Sequence, residues 1–429
     1  MTKIHVMHQF YPVGQGLFAA GSVQYWPSKS QYYPSINAPG QSDPAPIAPY
    51  LWVYDCGSST NKRLVRNGID KVEANCAGAR LDLLTLSHFH NDHINGVVDL
   101  LKAVGAKTVM LPWAPLWHRL LIGFDQGLQA DDAEMLFFVD PVAYLTQEAG
   151  EGFGRILFVM RSDDGEPASP TDPDFMPRSP ETPEDDEKDD GPGEGVTPYE
   201  LDVSGSGATW RVKQLRSGGA IAVHGVWEFV PYNDLATQPD DPLGFAAIVD
   251  TYRATLLNGN TDERKDALRQ LRSQYEAIFG RAAMNDVSLM LYGGAVGQWR
   301  GQRICNCDCV YHLLLGFCGC WKEHETKGAI LLTGDGDLSS AAKWASLETY
   351  LSARRAKRAS VFQVAHHGAR ANWFAGLAAS AAPATSIFSS DPHHNYGHPH
   401  AEVLRDFWPF RPTQVDQHIG FRMDVVLDR

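Results

Sequence analysis

The sequence predicts an α/β fold, on three observations. Short apolar runs such as Leu83-Leu84-Thr85-Leu86, Ala329-Ile330-Leu331-Leu332-Thr333 and Val361-Phe362-Gln363-Val364-Ala365 have the length of buried strands. Stretches of helical periodicity fall between several of them, the alternation expected of an α/β architecture. Each of these runs ends in His or Asp, so one sheet edge would present ligand-type side chains to a shared cleft.

The chain has 429 residues and 44% hydrophobic content, enough for a large core. Its formal charge is -14, but residues 161 to 195 hold thirteen Asp and Glu against three Lys and Arg, a local net of -10. The remainder carries only -4, so charge neither supports nor excludes a phosphate-bearing substrate. No stretch approaches the roughly 18 uninterrupted apolar residues of a membrane span, and MTKIHVMHQF lacks the long apolar segment of a secretory signal. A soluble, cytoplasmic protein with no membrane association is the expectation. Of seven cysteines, five crowd between Cys305 and Cys320, unlike a disulfide framework spread across a secreted fold.

Taken in order, Ile4-His5-Val6 begins a strand, Val13-Gly14-Gln15-Gly16 breaks it, and Leu17-Phe18-Ala19-Ala20 resumes an apolar run, a hairpin. Leu51-Trp52-Val53-Tyr54 is the next strand and ends in Asp55-Cys56-Gly57, where Asp55 could orient metal ligands from behind. Residues 60 to 79 read as a helix broken at Gly68. The stretch Asp82–Gly96, DLLTLSHFHNDHING, follows. His88 and His90, two apart on an extended segment, point the same way and can bind one cation. Asp92 and His93 lie beyond, in a turn into a helix, and can face a second cation from the other side. Imidazole and carboxylate donors suit zinc, with manganese the alternative.

Val97 to Val104 is helical and Lys107 to Leu111 a short strand. From Arg161 to Pro198 the composition turns to Pro, Asp, Glu, Gly and Ser, a disordered acidic insertion that could dock a protein partner. Trp210 to Val212, Val226 to Val230 and Val287 to Tyr292 read as strands, and Asp262 to Phe279 as a charged amphipathic helix. Residues 293 to 327 form a cysteine-rich hairpin insertion. Its Cys305, Cys307, Cys309, Cys318 and Cys320 could build a structural zinc site, with His312 and His324 nearby, or remain free or partly oxidised thiols.

Asp335, flanked by Gly334 and Gly336 after a buried strand, is placed to bridge two metals, whereas Asp337 fits the cap of a helix over Ser339 to Leu351. His366-His367-Gly368 ends another strand. Ser386 to Ser390 precedes Asp391-Pro392-His393-His394-Asn395-Tyr396-Gly397-His398-Pro399-His400, giving six histidines in 35 residues. The basic run Arg354-Arg355-Ala356-Lys357-Arg358 could hold phosphates or form a solvated helix face.

The run Ser87-His88-Phe89-His90-Asn91-Asp92-His93 resembles the H-x-H-x-D-H signature of metallo-β-lactamase-fold hydrolases. The blocks Val13–Gly16, Asp55–Gly57, Leu332–Asp335, His366–Gly368 and Tyr396–His400 resemble, in the same order, those of the C-terminal hydrolase domain of ComEC-type competence proteins. The resemblance implies one four-layer αββα sandwich over residues 1–429, interrupted by insertions at 161–198 and 293–327. It implies two metals: His88 and His90 on the first, Asp92 and His93 on the second, Asp335 between them, and His366 or His367 as a further ligand. His398 would complete the coordination or protonate a leaving group. Leu17 stands where the family carries Asp, and His118 and His224 are weak matches to a further histidine of the wider fold.

A pair of cations would activate water and neutralise charge developing on a phosphoryl or carbonyl oxygen, with Asp92 and Asp335 positioning the nucleophile and His398 or His367 handling the proton. The expectation is a metal-dependent hydrolase, a phosphodiesterase or nuclease acting on a nucleic acid or nucleotide. The alternatives are a hydrolase of a small ester, lactam or thioester on the same site, and a regulatory binding protein acting through its insertions.

Overall fold

The computed structural model describes residues 2–27, 46–114, 116–125, 128, 132, 135–162, 212–215, 217–234, 242–279, 288–304 and 328–429. Nearly all of the acidic stretch 161–198, and the five clustered cysteines Cys305, Cys307, Cys309, Cys318 and Cys320, lie outside the described residues.

The strands in chain order begin with β1 (Lys3–Phe10), β2 (Ala19–Trp26), β3 (Tyr50–Tyr54), β4 (Leu81–Thr85), β5 (Ala106–Pro112), β6 (Phe153–Val159), β7 (Val212–Leu215) and β8 (Ile221–Val223). They continue with β9 (Trp227–Asn233), β10 (Leu289–Ala295), β11 (Arg300–Ile304), β12 (Ala329–Leu332), β13 (Ala359–Gln363), β14 (Thr385–Ser389), β15 (Pro412–Val415) and β16 (Phe421–Asp428). One sheet runs β11-β16-β1-β2-β3-β4-β5-β6-β7 and the other β15-β14-β13-β12-β10-β9-β8. The last strand pairs antiparallel with the first, Ile4 opposite Leu427.

The continuous apolar runs have a simple cause: both faces of each sheet are covered, so both side-chain alternations must be apolar. Leu83, Trp52 and Tyr54 point between the sheets, where they meet Phe229, Leu291, Ile330 and Leu332 of the second sheet. Leu84, Leu51 and Val53 point outward against Val65, Ile69 and Leu100 of the helices Lys62–Cys76 and Val97–Ala103. On the far side Leu331 and Phe362 pack against Trp344, Leu347 and Phe407 of the helices Ala341–Leu351 and Ala401–Phe407. Helix, sheet, sheet and helix stack as four layers, the αββα sandwich that the motif resemblance implies.

Two local expectations need correction. The helix Lys62–Cys76 is not broken at Gly68; the glycine lets the helix close on the sheet, since a Cβ there would lie 2.7 Å from the Phe18 ring. The cap of Ala341–Leu351 is Ser340, whose side chain accepts from Lys343 N at 3.3 Å, while Asp337 accepts from Ser339 N at 2.9 Å within the preceding turn.

The basic run is also placed away from the strand ends that matter. Arg355 Nε and Nη2 donate to the Glu228 carboxylate at 2.7 and 3.0 Å, and both side chains are buried. The run enters β13 at its amino end, roughly 15 Å of strand from the carboxyl end that carries His366.

Strands β3 and β4 are parallel with Val53 beside Leu84, and β12, β13 and β14 are parallel with Leu331 beside Phe362 and Phe362 beside Ser386. Their carboxyl ends are therefore level within each sheet. The sheets are tied at that edge by Tyr54 Oη donating to Leu289 O at 2.7 Å and by Leu289 N donating to Ser87 O at 2.6 Å. Among the described residues no helix is long and apolar enough to cross a membrane.

Candidate metal centre

Every residue at the carboxyl ends of β3, β4, β12 and β13 that the sequence singles out converges on one cleft. Asp55 follows β3 with φ 56°, a left-handed conformation that a non-glycine residue adopts at some cost. That bend buries its carboxylate under the β4 loop. Oδ1 accepts Ser87 N–H at 2.7 Å, and Oδ2 accepts Ser87 Oγ–H at 2.6 Å and His93 Nδ1–H at 2.7 Å. Because Ser87 Oγ spends its proton on Asp55, it accepts from His88 Nδ1, 2.8 Å away. Asp55 thus orients two histidines, one directly and one through a serine. The adjoining Gly57 permits close passage: a Cβ there would lie 2.5 Å from the Asp92 carbonyl carbon and His93 N.

The second half of the cleft comes from β12 and β13. Gln363 Oε1 accepts Thr333 N and Gly334 N, each at 2.7 Å, which fixes the turn presenting Asp335. Then His366 (φ 48°), His367 (φ 58°) and Gly368 (φ 84°) are all left-handed, and this turn sends two adjacent imidazoles into the same cleft. His367 Nδ1 donates to Ser389 O at 2.6 Å. His366 Nδ1 lies 2.7 Å from Asn372 Oδ1, and the amide orientation is set by Asn372 Nδ2 donating to Asp335 O at 3.0 Å. In the neutral form of each of these rings Nδ1 carries the proton and Nε2 is left with its lone pair.

Those Nε2 atoms face carboxylates. His93 Nε2 is 3.1 Å from Asp335 Oδ1, and His88 Nε2 and His366 Nε2 are each 3.5 Å from Asp335 Oδ2. His367 Nε2 is 3.4 Å from Asp92 Oδ2 and 3.7 Å from Asp335 Oδ1. Among the described residues, two groups have donor atoms all within 4.8 Å of one another: His88, His90 and Asp335, and Asp92, His93 and His367. His88 Nε2, His93 Nε2, His367 Nε2 and Asp335 Oδ1 are buried with no hydrogen-bond partner. Lone pairs turned toward carboxylate lone pairs in a buried site need a positive charge between them. The residues therefore fit divalent cations, as donor type and as geometry.

Electrostatics agrees with that fit. Burial alone would lower His93, yet the carboxylates of Asp335, Asp55 and Asp92 hold it well above the usual imidazole range. His367 is likewise raised, against burial, by Asp335 and Asp92. Asp335 is held well below the usual carboxylate range, against burial, by His366, His93, His88 and His367. For His90 the balance falls the other way: burial and the neighbouring His88 outweigh Asp92 and Asp335 and push it down to about 3.

His398 lines the cleft but belongs to neither donor group, its ring centroid 5.8 Å from His366 and 6.2 Å from His367. Burial, with His367, His366 and His400 nearby, pushes it down to about 4. His118 and His224 join neither group and do not line the cleft. The cleft is about 620 Å³, and its lining includes the apolar Ile94, Leu128 and Phe138 as well as Tyr396 and His398. Ser87, Asn372 and Gln363 carry no composition signal of their own; only Ser87, inside the histidine run, could have been found by position.

Residues 51–209 match the family model described as the metallo-beta-lactamase superfamily. That segment contains Asp55, His88, His90, Asp92 and His93, whereas Asp335, His366 and His367 lie beyond it. Among solved structures, the chain is similar to a long form RNase Z from yeast, with 10% sequence identity and a TM-score of 0.37. The match covers 97% of this chain and 42% of that one. No curated protein matches.

Proposed function

We propose that this chain is a metal-dependent hydrolase whose centre holds two divalent cations, zinc by donor type, and that it cleaves phosphodiesters of a nucleic acid or nucleotide. The observation that carries this reading is the set of buried, partnerless atoms His88 Nε2, His93 Nε2, His367 Nε2 and Asp335 Oδ1 facing one another across the strand ends. One cation would be held by His88, His90 and Asp335, with His366 beside them, and the other by Asp92, His93 and His367, with Asp335 shared. On this reading His366 and His367 serve different ions. When bound, such ions act as Lewis acids and lower the pKa of water to near neutrality.

The chain's own residues would supply the rest. Asp55 and Ser87 hold the histidines in the required tautomer, and Asn372 and Ser389 O do so for His366 and His367. The Asp92 and Asp335 carboxylates can accept hydrogen bonds from an attacking water, and His367 and His398 flank the position of a leaving group. The resemblance of the motif blocks, in order, to those of ComEC-type hydrolase domains is what supports a phosphodiester over other substrates. A small ester or thioester is the second reading, favoured by the apolar Ile94, Leu128 and Phe138 in the cleft lining.

Incubation of zinc- or manganese-loaded protein with single-stranded DNA, duplex DNA, RNA, a generic phosphodiester and a panel of esters, lactams and thioesters tests the assignment. Cleavage of a phosphodiester that is lost on Asp335→Asn supports the first reading. Turnover of an ester or thioester alone supports the second.

A further inference from the structure

Gln15, in the loop between β1 and β2, is the one side chain of that loop with both ends of its amide engaged at the cleft. It is buried, and its backbone is fixed on both sides. Gln15 N donates to Thr60 Oγ1 at 2.8 Å, and Gln15 O accepts Ser59 N at 2.7 Å. The next residue is tied as well, Gly16 O accepting Ser389 Oγ–H at 2.7 Å. The backbone that carries the amide is therefore fixed, and burial confines the side chain to the cleft edge.

Its orientation follows from a donor that has no choice. Asp391 N is a backbone N–H, 3.4 Å from one end of the Gln15 amide, so that end must be the carbonyl oxygen Oε1. The other end is then the NH2 group, and it faces His398 Nδ1 at 3.4 Å. A donor facing Nδ1 requires that nitrogen to accept, which puts the proton of the neutral ring on Nε2.

This is the reverse of the metal-facing histidines. His88, His93, His366 and His367 each turn Nδ1 to an oxygen, of Ser87, Asp55, Asn372 and Ser389 respectively. Their Nε2 atoms are free to bind a cation. An Nε2 that carries a proton cannot.

We propose that Gln15 is a positioning residue that holds His398 in the tautomer protonated at Nε2, so that His398 serves the cleft as a fixed hydrogen-bond donor and not as a metal ligand. The function of such a donor rests on the hydrolase reading above: Nε2–H would stabilise negative charge developing on a substrate oxygen without giving up its proton. Gln15 itself touches no reacting atom.

The test reads the tautomer first, and that readout needs no turnover. Protein labelled with 15N-histidine is examined by long-range 1H–15N correlation at neutral pH, the His398 ring being assigned by its disappearance in His398→Asn. A protonated Nε2 and bare Nδ1, unchanged when zinc is added, is the expected result. A protonated Nδ1, or an Nε2 signal that moves as zinc binds, overturns the proposal. In Gln15→Glu, the carboxylate would accept from Nδ1–H and the tautomer should invert, whereas Gln15→Met should release the ring to a mixture. If a substrate has been found, Gln15→Glu should lower kcat by about 10²-fold with KM little changed, and Gln15→Asn, if its shorter amide still reaches Nδ1, should recover part of the loss. An inverted tautomer with kcat unchanged would also overturn it. Absence of any substrate would sink the hydrolase reading while the wild-type spectrum still decides the tautomer.

Discussion

Asp55 grips His93 from behind: Asp55 Oδ2 accepts His93 Nδ1–H at 2.7 Å, with both side chains wholly buried. The same carboxylate holds His88 through Ser87 Oγ. Asp55→Asn would leave a donor, Nδ2, against one of these partners. Removal of such supports typically costs 10- to 100-fold in metal affinity. We expect zinc affinity, measured by competition with a chromophoric chelator, to fall by that factor.

His366 and His367 should prove separable although they are adjacent. His367→Ala removes a donor from the group of Asp92 and His93, while His366→Ala weakens the group of His88 and His90. Zinc titrations followed by mass spectrometry under native conditions should give one tight ion in His367→Ala. In His366→Ala the two ions should both bind, one of them more weakly. Identical losses in the two variants would contradict this division.

The buried Glu228–Arg355 pair should matter to stability and not to chemistry. Arg355→Met alone leaves a buried carboxylate without its partner, a change that costs about 3–5 kcal/mol. Pairing it with Glu228→Leu should restore most of that in urea unfolding. Because Arg355 lies before the amino end of β13 and Glu228 near the amino end of β9, metal affinity of the double variant should match the parent.

His8 makes stability depend on pH. Its Nε2–H donates to Gly328 O at 2.7 Å, and burial pushes the ring from 6.5 down to about 4. The unfolded chain therefore binds more protons between those values. Stability from this group is fully present above about pH 6.5 and is lost as pH falls toward 4, by an amount on the order of 3 kcal/mol. Denaturant midpoints should fall with acidity over that window, and the slope should flatten in His8→Gln.

Gly68→Ala is expected to destabilise although alanine is the better helix former. The added Cβ would meet the Phe18 ring at 2.7 Å, so helix and sheet must separate. A lower thermal midpoint for Gly68→Ala, with far-UV circular dichroism unchanged, would bear this out.

Much of the centre was legible because its donors sit in short runs at strand ends, where two-residue spacing fixes which side chains share a face. The run from His88 to His93, the isolated Asp335 and the His366-His367 pair could be read that way. The basic run could not: it is near His366 in the chain, but strand β13 carries the two to opposite ends. Met135–Val139 is too short to show a helical period, and the helix Pro242–Asn258 is apolar nearly all round, so neither announces itself. The parts played by Asn372 and Gln15 depend on which end of an amide meets which partner across the fold, and no spacing rule contains that.

A two-cation centre built on Asp335 can be checked by calorimetric titration of zinc into chelator-stripped protein. The parent chain should show two saturable sites, and Asp335→Ala should lose tight binding at both. Failure of the stripped parent to bind zinc or manganese, or an Asp335→Ala isotherm that matches the parent, would contradict it.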